Sequence, residues 1–295
     1  MNQELDAYIA RAQDPLLIPG VYNYCDRRCE RCPFTTRCFT YREEQLQARP
    51  CGERPLAEHV EANFELAAAL MQEWCERHGH DFKTLQEDSQ SELAEMEERR
   101  TGAIVDNDPL RVAAHRYSRE ADNIVKPLAN LSAFHDWPPS VAAAIDAISW
   151  YSGMIPAKLS RALHGAADAE CVADEDPVQN DWNGSAKMAR LAIAESRDAW
   201  KTLFEAGETP ADASIRQTTA LLERIDRDLA ARFPLAMEFV RPGFDEPDVA
   251  AGALTRLAPF EPRHRTIRRR LQLWSSNVLR RLRRSMRSRA RHENL

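Results

Sequence analysis

Along most of the chain apolar residues recur at alternating intervals of four and three, the repeat of a helix that buries one face. From Leu56 onward Val60, Phe64, Ala67, Met71 and Trp74 keep that spacing, and the expected helix stops near Gly79. Thr84 followed by Glu87 has the form of a capping box opening a second helix to about Arg100. That stretch is acidic early and ends in Arg99 and Arg100, the polarity that a helix dipole favours. Asp108 before Pro109 reads as the N-cap and first turn of a third helix carrying Leu110, Ala114, Tyr117, Ala121, Ile124 and Leu128. Trp137-Pro138-Pro139-Ser140 interrupts, Val141, Ile145, Ile148 and Tyr151 mark a fourth, and a shorter helix is expected after Pro156. Asp181 to Gly184 supplies caps for a helix from about Gly184 to Glu205, ended by Gly207. Ile215, Leu222, Ile225, Leu229 and Phe233 then line one more, which stops at Pro234.

No segment shows sustained period-two alternation, and no internal repeat is visible. The expected fold class is all-α, a multi-helix bundle or array of six or seven helices with an irregular N-terminal cysteine-rich metal clip. Three parts are expected: residues 1–55, which hold five of the seven cysteines and little periodicity beyond the first dozen positions, a helical body over 56–260, and an Arg-rich amphipathic tail over 261–295.

Composition narrows the class. In 295 residues there are only 10 Gly against 17 Pro, too few for a sandwich or propeller built on many tight turns. No apolar run approaches 18 residues, so the chain is not expected to be transmembrane. The opening MNQELDAYIARAQ lacks a basic region followed by an apolar one, which points to a cytoplasmic protein. The net charge of −6 divides unevenly: residues 261–295 hold 12 Arg against two Glu, a net +10, which leaves −16 for residues 1–260.

The strongest chemical signal is YCDRRCERCPFTTRC, in which Cys25, Cys29, Cys32 and Cys38 fall within 14 residues. A reducing compartment keeps such thiols unpaired, so a metal explains them better than two disulfides. Thiolates at loop spacing converge on a tetrahedral zinc, with backbone N–H groups bonding the sulfurs, and Arg27, Arg28, Arg31 and Arg37 stand nearby to offset the charge. The same spacing also suits an iron–sulfur cluster, so the cofactor reading is zinc or iron–sulfur, with thiols that bind nothing as the remaining alternative. The Cys25-x3-Cys29-x2-Cys32 run matches the radical S-adenosylmethionine motif, but no alternation of strands and helices follows it.

Four stretches, IPGVYNYCDRRCERCPFTTRC at 18–38, IPAKLSRAL at 155–163, DWNGSAKMARLAI at 181–193 and FPLAMEFVRPGFDE at 233–246, carry a resemblance. Together they resemble a group of uncharacterised bacterial proteins with an N-terminal four-cysteine motif and a helical body. The resemblance implies a shared fold over the first 246 residues and transfers no catalytic residue. The Arg-rich tail is outside it.

Two further constellations carry chemistry. Asn183, Gly184, Ser185 and Lys187 open a helix with small residues and a cation, and with Lys158 and Arg161 they would seat a phosphate or carboxylate. Ordinary capping with the cations paired to acids is the alternative reading. In the tail, Arg280, Arg281, Arg283, Arg284 and Arg287 surround an apolar seam and would meet an anionic partner. That partner is nucleic acid, a membrane surface, or an acidic protein face on this chain or on a second copy in a homo-oligomer. No nucleophile elbow or P-loop is present, so no reaction is specified.

Overall fold

The structure is a computed structural model that describes residues 2–47, 56–89, 92–132, 135–169, 176–207 and 212–246. Among these residues the elements are helices and turns without a strand. The α-helices are α1 (Asn2–Ala12), α2 (Phe39–Gln47), α3 (Leu56–Arg77), α4 (Phe82–Ser89), α5 (Glu92–Asp106), α6 (Pro109–Leu131), α7 (Pro139–Ala169), α8 (Asp181–Ala206) and α9 (Asp212–Arg232). Short 3-10 turns stand at Val21–Asn23, Cys29–Arg31, Thr35–Arg37 and Ala236–Glu238. No helix among the described residues is long and apolar enough to cross a membrane.

Contacts divide the chain into two units, one holding Met1–Pro19 with Pro33–Arg100 and the other Gly20–Cys32 with Thr101–Gly252. These boundaries differ from the expected 1–55 and 56–260, because residues 20–32 group with the helices after Thr101 and residues 33–47 with the chain up to Arg100. The expected tail, 261–295, lies outside the described residues, as do Arg280, Arg281, Arg283, Arg284 and Arg287.

In the unit containing Thr101–Gly252, α6, α7, α8 and α9 form a closed ring in which α7 packs on α6 and α8, and α9 on α6 and α8. Each helix turns its apolar stripe to the centre. From α6 these are Leu110, Ala114, Tyr117, Ala121, Val125 and Leu128, with Val125 taking the place expected for Ile124. From α9 they are Ile215, Leu222, Ile225 and Leu229. One polar cluster inside is matched: the Tyr117 and Ser196 hydroxyls lie 2.5 Å apart, and the Trp200 indole N–H donates to the Tyr117 oxygen at 3.1 Å. Burial pushes the Tyr117 hydroxyl pKa up, so it stays neutral in the core.

Several expectations about elements are corrected. α7 runs unbroken through Pro156, where a helix break was expected. The proline costs one backbone hydrogen bond, and wholly buried Ile155 and Leu159 on either side offset it. α8 begins three residues earlier than expected, because the Asn180 side chain, rather than Asp181 or Asn183, accepts the Asn183 N–H at 2.9 Å. Its end is as expected at Gly207, whose φ of 65 suits a residue without a side chain. The expected helix 84–100 is two helices, and Asp81 rather than Thr84 caps the first, accepting from the Lys83 N–H at 3.1 Å and the Thr84 hydroxyl at 2.8 Å.

The other unit is built from shorter pieces. Residues expected to be irregular include α2, which is tied to α1 by a bidentate Arg11–Glu43 pair at 2.7 and 2.9 Å and by the Tyr8–Phe39 ring contact at 5.3 Å. Arg42 bonds Asp14 at 2.7 Å, and the Ile18 N–H reaches the Arg37 carbonyl at 3.0 Å, around buried Leu17, Ile18 and Phe34.

Candidate functional site

Residues 20–32 lie on the bundle as a chain of short turns, and their own polar groups dock them. The Tyr24 hydroxyl donates to Asp181 on α8 at 2.8 Å, and Arg161 of α7 holds both oxygens of the same carboxylate at 2.6 and 2.9 Å. The Asp26 carboxylate accepts from the Arg28 N–H at 3.1 Å, the Arg31 guanidinium at 2.7 Å and the Tyr151 hydroxyl at 3.2 Å, while Trp150 donates to its backbone carbonyl at 2.8 Å. Burial opposes ionisation of Asp26, but Arg31 and the backbone N–H outweigh it and its pKa is lowered. Burial and the Asp26 charge push Tyr151 up to about 12. Arg28 lies 5.0 Å over the Trp150 ring and pairs with Asp146 at 2.7 Å.

The cysteines are carried by this docked segment and the turns after it. Cys25 is buried, Cys29, Cys32 and Cys38 are half-buried, and none of them is in a disulfide. Arg27 adopts φ 57, a left-handed conformation that few residues with side chains accept, and in it the Arg27 N–H bonds the Cys25 sulfur. Cys25 also reaches the Tyr22 carbonyl at 3.6 Å. Burial raises the Cys25 pKa, with the Arg27 N–H and the charges of Arg27 and Lys158 acting against it. The Cys32 N–H closes a turn onto the Cys29 carbonyl at 3.3 Å. Among the described residues no three His, Cys, Asp or Glu side chains are gathered closely enough to hold an ion.

The residues expected to seat an external anion are brought near one another, and the polar side chains of Lys158, Arg161, Asn183 and Lys187 bond groups of the protein. Arg161 has Asp181 as its anion. The Asn183 side chain donates to the Pro177 and Val178 carbonyls at 2.8 and 3.1 Å. Gly184 faces the Tyr24 and Phe239 rings so closely that an added methyl would overlap both, reaching 2.7 Å from Phe239. Ser185 is wholly buried, and its hydroxyl has no partner among the described residues. Lys187 donates to the Phe239 and Met237 carbonyls at 2.6 and 3.3 Å and to Asp245 at 2.7 Å. Arg241 pairs with Asp245 at 2.8 Å, so that despite partial burial Asp245 is held well below the usual carboxylate range. Lys158 remains apart: its ammonium donates to the Asn23 carbonyl at 2.6 Å, and burial followed by repulsion from Arg161 lowers its pKa to about 8.

The four stretches that carry the resemblance thus meet in one place. Tyr24, Lys158 and Arg161, Asp181 to Lys187, and Phe239 to Asp245 interlock around the first turns of α8. Sequence reasoning missed Tyr24, Phe239 and Asp245 as members of this node, although the four stretches contain all three. Comparison with family models, with curated proteins and with solved structures finds no match to this chain.

Proposed function

We propose that the chain is a metal-binding helical protein in which Cys25, Cys29 and Cys32, with Cys38 as fourth ligand by chain spacing, hold one structural zinc ion. The observation that carries this reading is the left-handed turn at Arg27, which spends backbone strain to point an N–H at the Cys25 sulfur. Thiolates that bind metal are commonly supported by such N–H groups, which spread their charge. The docking of residues 20–32 by Tyr24, Asp26 and Arg28 supports a site that begins from a largely preformed segment. Metal binding to such a loop adds its free energy to folding, which suits a segment with few buried apolar residues of its own. An iron–sulfur cluster is the alternative occupant of the same sulfurs. The bundle and the Arg-rich tail are left to bind a partner, nucleic acid and other polyanions being the class that the tail's +10 charge attracts.

The test is Cys29→Ser in the full chain. Melting temperature and zinc stoichiometry are expected to fall together, and a variant that keeps both unchanged overturns the reading.

A further inference from the structure

The apolar stripe of α3 is left half-covered. Phe64, Ala67, Met71 and Trp74 recur at intervals of three and four, yet each is only half-buried where α3 packs on α4 and α1. Glu61 and Glu65 stand exposed beside that stripe. Charge sets this part of the chain apart as well. Residues 56–106 hold 13 Asp and Glu against four Lys and Arg, a net −9, whereas the 154 residues from 107 to 260 carry −7.

An apolar face rimmed by acids selects a segment that is apolar on one side and basic beside it. The C-terminal stretch, outside the described residues, has that pattern in its sequence. Ile267, Leu271, Trp274 and Val278 repeat at intervals of four, three and four, the same alternation as on α3, and at helical spacing Arg268 and Arg270 fall on the two edges of the seam. Ile267 to Val278 is 12 residues and Phe64 to Trp74 is 11, so as helices both stripes run about 17 Å. The 20 residues between Glu246 and Ile267 reach roughly 65 Å when extended, so chain length does not keep the segment from a face of its own molecule.

We propose that residues 267–278 dock on α3 of the same chain, seam against stripe, with the arginines beside the seam toward Glu61 and Glu65. Buried apolar surface holds the segment, since exposed ion pairs are worth little, and the opposite charges choose the face. The inference goes beyond the metal reading and does not rest on it. It divides the tail: the seam up to Val278 serves the chain itself, and Arg280, Arg281, Arg283, Arg284 and Arg287 are left for an anionic partner.

The test is amide hydrogen exchange of the full chain, read by mass spectrometry, in the parent and in two paired variants. Leu271→Asp with Trp274→Asp spoils the seam, and Glu61→Lys with Glu65→Lys reverses the charge beside the stripe. Each pair is expected to speed exchange about tenfold or more both in α3 and in residues 267–278, while α6 to α9 keep the parent's rates. The reciprocity is the signature, because substitutions in the tail reach α3 only by touching it. An α3 that exchanges alike in the parent and in the Leu271 and Trp274 variant overturns the inference. Protection of residues 267–278 that vanishes on dilution assigns the seam to a second copy, and protection that arises only after duplex DNA is added assigns it to a polyanion; either overturns intrachain docking. None of these results depends on zinc content, so the metal reading stands or falls separately.

Discussion

Helices α3 and α6 have almost the same length, 22 and 23 residues, and the same four-three apolar spacing, yet they are buried differently. On α6 the whole stripe from Leu110 to Leu128 is buried, with Ala114, Tyr117 and Ala121 at 0% exposure. On α3 only Cys75 is buried among the described side chains, Phe64, Ala67, Met71 and Trp74 are half-covered, and Val60 is 44% exposed. Spacing fixes which face of a helix is apolar; the number of neighbours decides how much of it is covered. α6 stands in a ring of four helices, whereas α3 packs on α4 and α1. Stability in this protein is accordingly expected to be concentrated in the ring and in residues 20–32, which lie on it.

The largest expected contrast is between core residues of the two units. Trp200→Ala removes a wholly buried ring and the N–H bond to Tyr117, and is expected to cost about 3–5 kcal/mol in denaturant unfolding. Val60→Ala on the exposed side of α3 is expected to cost within about 0.5 kcal/mol. Equal losses would erase the distinction between the units. A smaller effect is expected at the node on α8, where Gly184→Ala drives a methyl group into Tyr24 and Phe239. Overpacking of that kind costs about 1–3 kcal/mol, and a neutral result in the same unfolding assay would mean that the rings do not approach as closely as described.

The smallest effect sharpens the comparison by pH. Asp245 has a folded-state pKa lowered by Arg241 and Lys187 against its own partial burial, so its contribution is fully present above the ordinary carboxylate pKa of about 4. It is lost as pH falls from there through the lower folded value. Asp245→Asn is therefore expected to be less stable than the parent by about 1–2 kcal/mol at pH 7, with the gap narrowing as acid is added below about pH 4. Parallel stability curves for the two proteins across that range would contradict the assigned network.

Much of the helical framework was legible because burial repeats locally. Every residue expected on the inner face of α9, from Ile215 to Phe233, is buried, as are Val141, Ile145, Ile148 and Tyr151 on α7. What failed locally failed for a reason. Pro156 signals a break only where packing is weak, and here Ile155 and Leu159 hold the helix across it. α2, with FTYREEQLQ, has too few apolar positions to announce itself, and Arg11 on α1 supplies the partner that its Glu43 needs.

The surroundings of the candidate residues were less legible than the helices. Chain spacing singled out Cys25, Cys29, Cys32 and Cys38, and the structure places Cys25 buried and the other three half-buried without gathering three of them about one point. The partners of Lys187 were not singled out, because Asp245 lies 58 residues away and nothing in either stretch names the other. The same distance in sequence made Lys158 and Arg161 look like a receptor for an external anion, when Asp181 already neutralises one of them and the Cys25 segment receives the other.

The central claim is that the four-cysteine run holds a structural zinc ion. Its most direct test is the zinc, iron and acid-labile sulfide content of anaerobically purified full-length protein, read with its visible spectrum. The account predicts one zinc per chain, no sulfide and no visible absorbance. Iron with matching sulfide, or protein that retains no metal at all, would contradict it.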